Sequence, residues 1–439
     1  MQIIVLGNGV AGTTAAREAR QRAPHARVTL VSEESPYFFS RTALMYAFMD
    51  RLTRRDLEPF ERHVYERERI ARVHERAVDL DANAQTLTLA GGATLRWDRL
   101  ILATGAVPRG LDVPGLREAR SGVVHFVSLA DLDACEALTP STREAVVVGG
   151  GLIGIELVEC LAHHGVRTTF LLRDDHYWPT ALPTREATLV GQRLEHHGVT
   201  LLGGDTLAAV ETDGEGRVAA VITARGRRLP AQMLGVCVGV RPQVDFLREA
   251  RTPPEIRGGI LVDEQLRTSL PQVWACGDCA AIQLPDAPAP LVETMWYSAK
   301  RQGTLAGANA TGASLPYQRP LFVNSAMLVD LSYTAVGRST AEGTTLRTLV
   351  RQHRRRPATQ RIFCEGEQAV GFLMLGSSWD TERLSRWVAE ARSVDWVRAH
   401  LASAQYDVEL GPLDLRDAEE AWEDWPPVAV GAAHIGRGT

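Results

Sequence analysis

One pattern, a short apolar strand followed by a glycine turn and a helix, occurs twice in this chain. The first copy runs Gln2-Ile3-Ile4-Val5-Leu6, then Gly7-Asn8-Gly9-Val10-Ala11-Gly12, then a helical pattern to about Arg22. Val28 to Val31 forms the next strand, closed by Glu33. The second copy runs Ala145 to Val148, then Gly149-Gly150-Gly151-Leu152-Ile153-Gly154, then a helix to His164 and a strand from Arg167 to Leu172. A strand that feeds a helix through such a turn returns to pair in parallel. Two such βαβ units predict an α/β chain with two Rossmann-like dinucleotide sites.

Each motif places glycine where the chemistry needs it. Gly7 and Gly149 permit a tight turn. Gly9 and Gly151 let the backbone approach a pyrophosphate. Gly12 and Gly154 let the helix pack on its strand. Ala11, Leu152 and Ile153 lie in the first helical turns, whose free N–H groups face the phosphates. Glu33 follows the first motif by roughly 20 residues, where an acid binds ribose hydroxyls. The second unit has Arg173 at the matching tip. An arginine there accommodates the 2′-phosphate of NADP, although Asp174 and Asp175 follow it.

The rest of the chain reads less sharply. Asp81 to Leu100 alternates as a β-ribbon, with Gly91-Gly92 as its turn, and Leu100 to Leu102 is a buried strand. Pro114-Gly115 marks a linker, and Val218 to Ile222 and Met233 to Val238 are strands. Past Pro316 the pattern changes. Phe322 to Val329 and Ala369 to Leu375 read as strands of an appended domain, Arg351 to Arg361 as a basic solvated loop, and Asp380 to Leu401 as one or two helices. Trp379, Trp387 and Trp396 suit a core or a dimer face, and residues from 426 onward read as a loose tail.

Charge and composition exclude several classes. A net charge of −5 carries no electrostatic footprint for nucleic acid. Lys300 is the single lysine among 48 basic residues, and arginine holds its proton too firmly for acid–base work. Proton transfer would then fall to His, Glu, Tyr or water. The 6 cysteines are sparse and irregular, unlike a secreted disulfide scaffold. His163-His164 and His196-His197 lack the spacing of metal ligands, and no metal is expected. No basic leader and no long apolar run are read, so a cytoplasmic location without a membrane span is expected.

Further segments resemble the pyridine-nucleotide–disulfide oxidoreductase superfamily of FAD enzymes, over residues 1 to about 312 and more loosely beyond. Ala103-Thr104-Gly105-Ala106 with Pro108-Arg109 is similar to its strand-to-loop motif, and Gly239-Val240-Arg241-Pro242 to the segment returning to the FAD domain. Ala275-Cys276-Gly277-Asp278 resembles its second FAD motif, and Trp296, Ala299, Gln302 and Gly303 lie on the helix that follows. The resemblance implies a split FAD domain at 1–112 and 240–312. It implies an NAD(P)H domain inserted at 113–239, an α+β interface domain at 313–425 and a tail at 426–439. The first glycine loop would then hold the ADP part of FAD, with Gly239, Gly277 and Asp278 also on the flavin. The second loop would hold NAD(P)H. Glu156 matches an acid near the hydride-transfer junction.

The departures narrow the branch. Disulfide reductases of this superfamily carry a cysteine pair after the first βαβ unit, and peroxidases and oxidases carry one. This chain has Ser35-Pro36-Tyr37-Phe38-Phe39-Ser40-Arg41-Thr42. Ser40-Arg41 resembles the cysteine-free branch of ferredoxin and rubredoxin reductases and the flavin part of nitrite reductase large subunits. Cys276 and Cys279 form a C-x-x-C inside the flavin turn and are expected to fill space. Lys300, beside the presumed flavin-facing helix, is a candidate to stabilise reduced flavin electrostatically. Trp296 is a candidate to cover the ring.

The reading is an NAD(P)H-dependent FAD oxidoreductase that passes electrons to an external redox protein. An NAD(P)H oxidase or quinone reductase is the enzyme alternative. A flavin-bound NAD(P)H sensor is the non-enzymatic one. A homodimer through the C-terminal domain is expected from the resemblance.

Overall fold

The computed structural model describes residues 1–285, 287–339, 346–405 and 422–425. It divides into two compact units. One comprises residues 1–111, 124–140 and 238–320, the other 112–123, 141–237 and 321–439. Residues 124–140 therefore group with the first unit, although the sequence reading put them in the inserted segment. The reason is local. Glu34 accepts the Leu129 backbone N–H at 2.9 Å, at the start of the helix Leu129–Leu138, and Arg54 pairs with Asp133 and Glu136 of that helix.

The first unit is built on a five-stranded parallel sheet, ordered Val273–Ala275, Arg99–Leu102, Gln2–Leu6, Arg27–Ser32, Ile70–His74. Its central strands are apolar at successive positions because helices and ribbon cover both faces. The expected ribbon is a three-stranded antiparallel sheet, Ala77–Asp81, Thr86–Leu89 and Thr94–Arg96. Helices Val10–Arg22 and Trp296–Ala310 pack backbone to backbone. A Cβ on Gly303 would lie 2.3 Å from the Ala11 carbonyl oxygen, and one on Gly307 2.5 Å from that of Ala15. Both glycines are thus required by contact, not by turn geometry.

The second unit carries its own parallel sheet, ordered Thr200–Leu202, Arg167–Leu171, Glu144–Val148, Met233–Val236, Val123–Val124. An antiparallel ribbon of Leu207–Thr212, Val218–Thr223 and Arg228–Pro230 adjoins it in sequence. The C-terminal region is a six-stranded antiparallel sheet, with helices Thr381–Ala389 and Val394–His400 packed on it. Trp379 and Trp387 belong to that core.

The basic segment is not a loop throughout. Arg347–His353 and Thr359–Glu365 are paired strands, and only the turn between them is free of strand structure. Arg361 is buried, and the fully buried Glu186 receives its guanidinium in a forked pair at 3.1 and 2.9 Å. The expected tail, residues 426–439, lies outside the described residues.

Candidate functional site

Three loops leave the C-terminal ends of adjacent parallel strands in the first unit, where open α/β sheets bind ligands. The first is the Gly7 loop. Its φ of +103° and the 2.1 Å that would separate a Cβ from the Ala103 carbonyl oxygen admit only glycine. Gly12 is equally constrained, since its Cβ would sit 1.9 Å from the Gly7 oxygen. Gly9 is different. Its backbone is extended, with φ −64° and ψ −174°, and a Cβ there meets nothing within 4 Å. Packing and backbone strain leave the absence of a side chain at Gly9 unexplained, whereas a phosphate laid against the N-terminus of the helix Val10–Arg22 requires that space.

The second loop is Ala103-Thr104-Gly105. The Ala103 N–H donates to the Leu6 carbonyl at 2.7 Å, and the Thr104 hydroxyl to that of Gln243 at 2.6 Å. Gly239 turns beside it with φ +101°, and Arg109 donates to the carbonyls of Gly239 and Val240. The third is the turn at Gly277-Asp278, with Gly277 at φ +78°. Burial pushes the Asp278 carboxyl up to about 6, while the nearby Arg41 guanidinium opposes the rise. Such a site favours hydroxyl donors that restore the lost solvation. Cys276 and Cys279 flank it with no exposed surface, and burial raises both thiols further from ionisation.

The remaining flavin candidates are near these loops. Glu33 is exposed past the end of its strand, and its carbonyl meets His74 Nε2 at 3.0 Å. Ser40 Oγ is 3.0 Å from Thr42 Oγ1. Arg41 is held by Glu34 and the Val127 carbonyl and lies over the Phe39 ring, 4.8 Å from its centroid. Sequence reasoning missed Asn8. Its amide donates to the Ser35 carbonyl at 2.6 Å and accepts the Ser32 hydroxyl at 2.9 Å. It ties the phosphate loop to the segment carrying Glu33. The signal lay in the motif itself, at a position the glycine pattern leaves open.

The second unit repeats the first loop. Gly149 has φ +117°, and a Cβ on Gly154 would sit 2.0 Å from the Gly149 oxygen. Gly151, with φ −109° and ψ −173°, again meets nothing within 4 Å. Leu152 and Ile153 open the helix Leu152–His163. Arg173 is exposed beyond the strand Arg167–Leu171, 3.4 Å from the Asp174 carboxylate.

Each unit thus holds one glycine loop at a helix N-terminus, with its middle glycine open to a ligand. The family model of the pyridine nucleotide-disulphide oxidoreductases matches residues 1–303. The chain belongs to this family. The ferredoxin–NAD(+) reductase component of the biphenyl dioxygenase system of Paraburkholderia xenovorans (strain LB400) is 32% identical over 298 residues, 66% of this chain and 70% of that one. The rubredoxin-NAD(+) reductase of Pseudomonas putida is 28% identical over 323 residues, covering 73% and 82%. Among solved structures, the covalent putidaredoxin reductase–putidaredoxin complex superposes with a TM-score of 0.78 at 21% identity, covering 89% of this chain and 93% of that one.

This pyridine nucleotide-disulphide oxidoreductase uses FAD and NAD(P)H. Its open cradles fit both. Glu156 lies one turn into the helix Leu152–His163, enclosed by protein on nearly every side with a small opening to solvent. Burial, reinforced by the charge of Glu159, pushes its carboxyl up to about 8. A carboxyl placed in this way is biased toward its neutral form. Tyr177 is buried, and among the described residues its hydroxyl has no hydrogen-bond partner.

The sign of the resulting pH effect is fixed. A folded-state value raised above the unfolded one contributes stability below about pH 4.5, which is lost as pH rises through about 8. Glu156→Gln removes this dependence. The stability difference between variant and wild type should therefore grow in the variant's favour from pH 5 to 8, by up to about 1.4 kcal/mol per pH unit. Urea midpoints at pH 5, 7 and 9 measure it, and parallel curves would refute the assignment.

Lys300 and Trp296 sit on the exposed face at the start of the helix Trp296–Ala310, with Lys300 Nζ 5.2 Å from the Trp296 ring centroid. Tyr297 is exposed beside them.

Proposed function

We propose that this oxidoreductase takes electrons from NAD(P)H and delivers them to a small one-electron carrier of the ferredoxin or rubredoxin kind. The carrying observation is the lack of an accessible thiol. All 6 cysteines are buried and none is in a disulfide among the described residues, and the Ser35 to Thr42 segment carries no cysteine. Electrons would therefore leave the flavin directly. The activities of the two relatives above support the choice of carrier.

When bound, FAD accepts a hydride from NAD(P)H and can release the two electrons singly. The chain's own residues do the holding. Gly9 and the helix start at Val10 receive the FAD pyrophosphate, and Glu33 and Asp278 take ribose and ribitol hydroxyls. Ser40, Arg41, Ala103, Thr104, Gly105, Gly239 and Gly277 shape the rest of that site. Gly151, with Leu152 and Ile153, receives the NAD(P)H pyrophosphate. Glu156 keeps a proton beside that loop, and Arg173 is placed for a 2′-phosphate. Lys300 and Trp296 offer a cation and an aromatic surface to whatever meets that helix.

Buried, reduced thiols suit a reducing, cytoplasmic setting. Among the described residues no helix is long and apolar enough to cross a membrane.

An anaerobic acceptor panel tests the proposal. Reduced protein should pass single electrons to a [2Fe–2S] ferredoxin or a rubredoxin faster than to quinones. Dioxygen as the fastest acceptor would replace the reading with an oxidase. Binding of NAD(P)H without bleaching of the flavin would replace it with a sensor. The double variant Cys276→Ala/Cys279→Ala should keep its reduction and reoxidation rates within about twofold, since these thiols act as space-filling groups. Loss of turnover with retained flavin would show that sulfur carries electrons.

A further inference from the structure

We propose that Glu293 is a positioning residue for the flavin site. Through Gln302 it fixes the Gly277 amide, and with it the turn that presents Asp278. This rests on the reading that the Gly277-Asp278 turn holds FAD.

The argument begins at Gln302, which is fully buried on the helix Trp296–Ala310. Its side-chain oxygen accepts the Gly277 N–H at 2.8 Å. An amide can turn over and exchange its oxygen for its NH2 group, which would set donor against donor at Gly277. Something must select the productive orientation. Glu293 does so together with the Tyr317 hydroxyl, because Gln302 Nε2 lies 3.4 Å from Glu293 Oε2, a carboxylate oxygen accepts, and Gln302 also meets Tyr317. The amide nitrogen is thereby held toward Glu293 and the oxygen toward Gly277.

Glu293 is itself held on two further sides. Its side chain is only 10% exposed, and Arg319 Nε lies 3.5 Å from Oε1. The Tyr317 hydroxyl donates to Oε2. Burial and the hydrogen bond to Glu293 both raise Tyr317, so it keeps its proton and remains a donor. The chain brings Tyr317 back past the end of the helix by a specific clasp. Asn309 donates to the Leu315 carbonyl at 2.9 Å and accepts the Leu315 N–H at 2.9 Å, and the Tyr317 N–H meets the Glu264 carbonyl at 2.5 Å. A buried acid with three partners, none of them a ligand group, is costly unless it orders something. Here it orders the amide beneath the Asp278 turn.

The test compares FAD dissociation constants, read from flavin fluorescence on titrating the apoprotein, with the thermal midpoint of the same apoprotein. Glu293→Leu removes the carboxylate acceptor, and with it the group that orients the Tyr317 hydroxyl, and should weaken FAD about tenfold, the worth of one hydrogen bond. Glu293→Gln still offers an oxygen to Gln302 and should return affinity to within about twofold of wild type. Wild-type FAD affinity in Glu293→Leu would overturn the proposal. So would a lower thermal midpoint with unchanged affinity, the mark of a merely structural residue. Should Glu293→Leu fail to fold, Gln302→Met decides by the same comparison, with wild-type affinity overturning the proposal. Asp278→Ala is the control. If it binds FAD as tightly as wild type, the flavin turn itself is misplaced and the role of Glu293 falls with it. If it loses FAD while Glu293→Leu does not, only the role of Glu293 falls.

Discussion

Gly151→Val should fold normally, keep its yellow flavin, and lose reduction by NAD(P)H by two orders of magnitude or more, in line with the loss of a close phosphate contact. The backbone at Gly151 is extended, so valine adopts it without strain, and no protein atom lies within 4 Å of the new Cβ. The added side chain is expected to block the space a pyrophosphate would use. Gly9→Val, its counterpart in the first unit, should fold and be colourless for the same reason. The pair separates the two cradles. Absorbance after purification reads FAD, and stopped-flow bleaching reads NAD(P)H. If Gly9→Val stays yellow while Gly151→Val is colourless, the two cofactors are assigned to the wrong loops. Gly7, Gly12, Gly149 and Gly154 make poorer probes, since a Cβ at Gly12 or Gly154 collides with backbone and any residue at Gly7 or Gly149 is strained.

Arg361→Ala is expected to cost about 3–5 kcal/mol of stability, as breaking a buried ion pair does. Glu186 has no exposed surface and Arg361 almost none, and the pair is bidentate. Thr348 accepts a third guanidinium bond at 3.2 Å. Removing the arginine leaves an acid in a dry interior. The double variant Arg361→Met/Glu186→Leu should recover most of the loss, because the desolvation cost disappears with both charges. Urea unfolding followed by circular dichroism measures both. A single-variant cost below about 1 kcal/mol would mean that water reaches the pair.

The two strand–glycine turn–helix units were legible in the sequence because local rules build them. A strand, three glycines and a helix start act over a dozen residues, and neither Gly7 nor Gly12 tolerates a side chain. Arg361 was illegible for the opposite reason. Its partner is 175 residues away, so an arginine in a basic run read as solvated. The run is two strands because the burial pattern of Thr359–Glu365, inward at six successive positions, is satisfied by tertiary cover and leaves no alternation to read. Glu293 and Tyr317 were missed likewise, as their meeting depends on the clasp at Asn309. Helix Leu129–Leu138 carries a capping box, Ser128 with Asp131, that signals its start, but its attachment to the first unit depends on Glu34.

The seam between Gly303, Gly307 and the helix Val10–Arg22 has a consequence for how such a protein can change. The first glycine loop and the aspartate turn come from distant parts of the chain, yet they are mounted on one shared spine with no slack between its halves. A methyl group gained on one helix must be answered by backbone movement in the other. Residues encoded some 290 codons apart are thereby bound to drift together, and a chimera that joins the two halves from different parents should fail at this seam before it fails anywhere else.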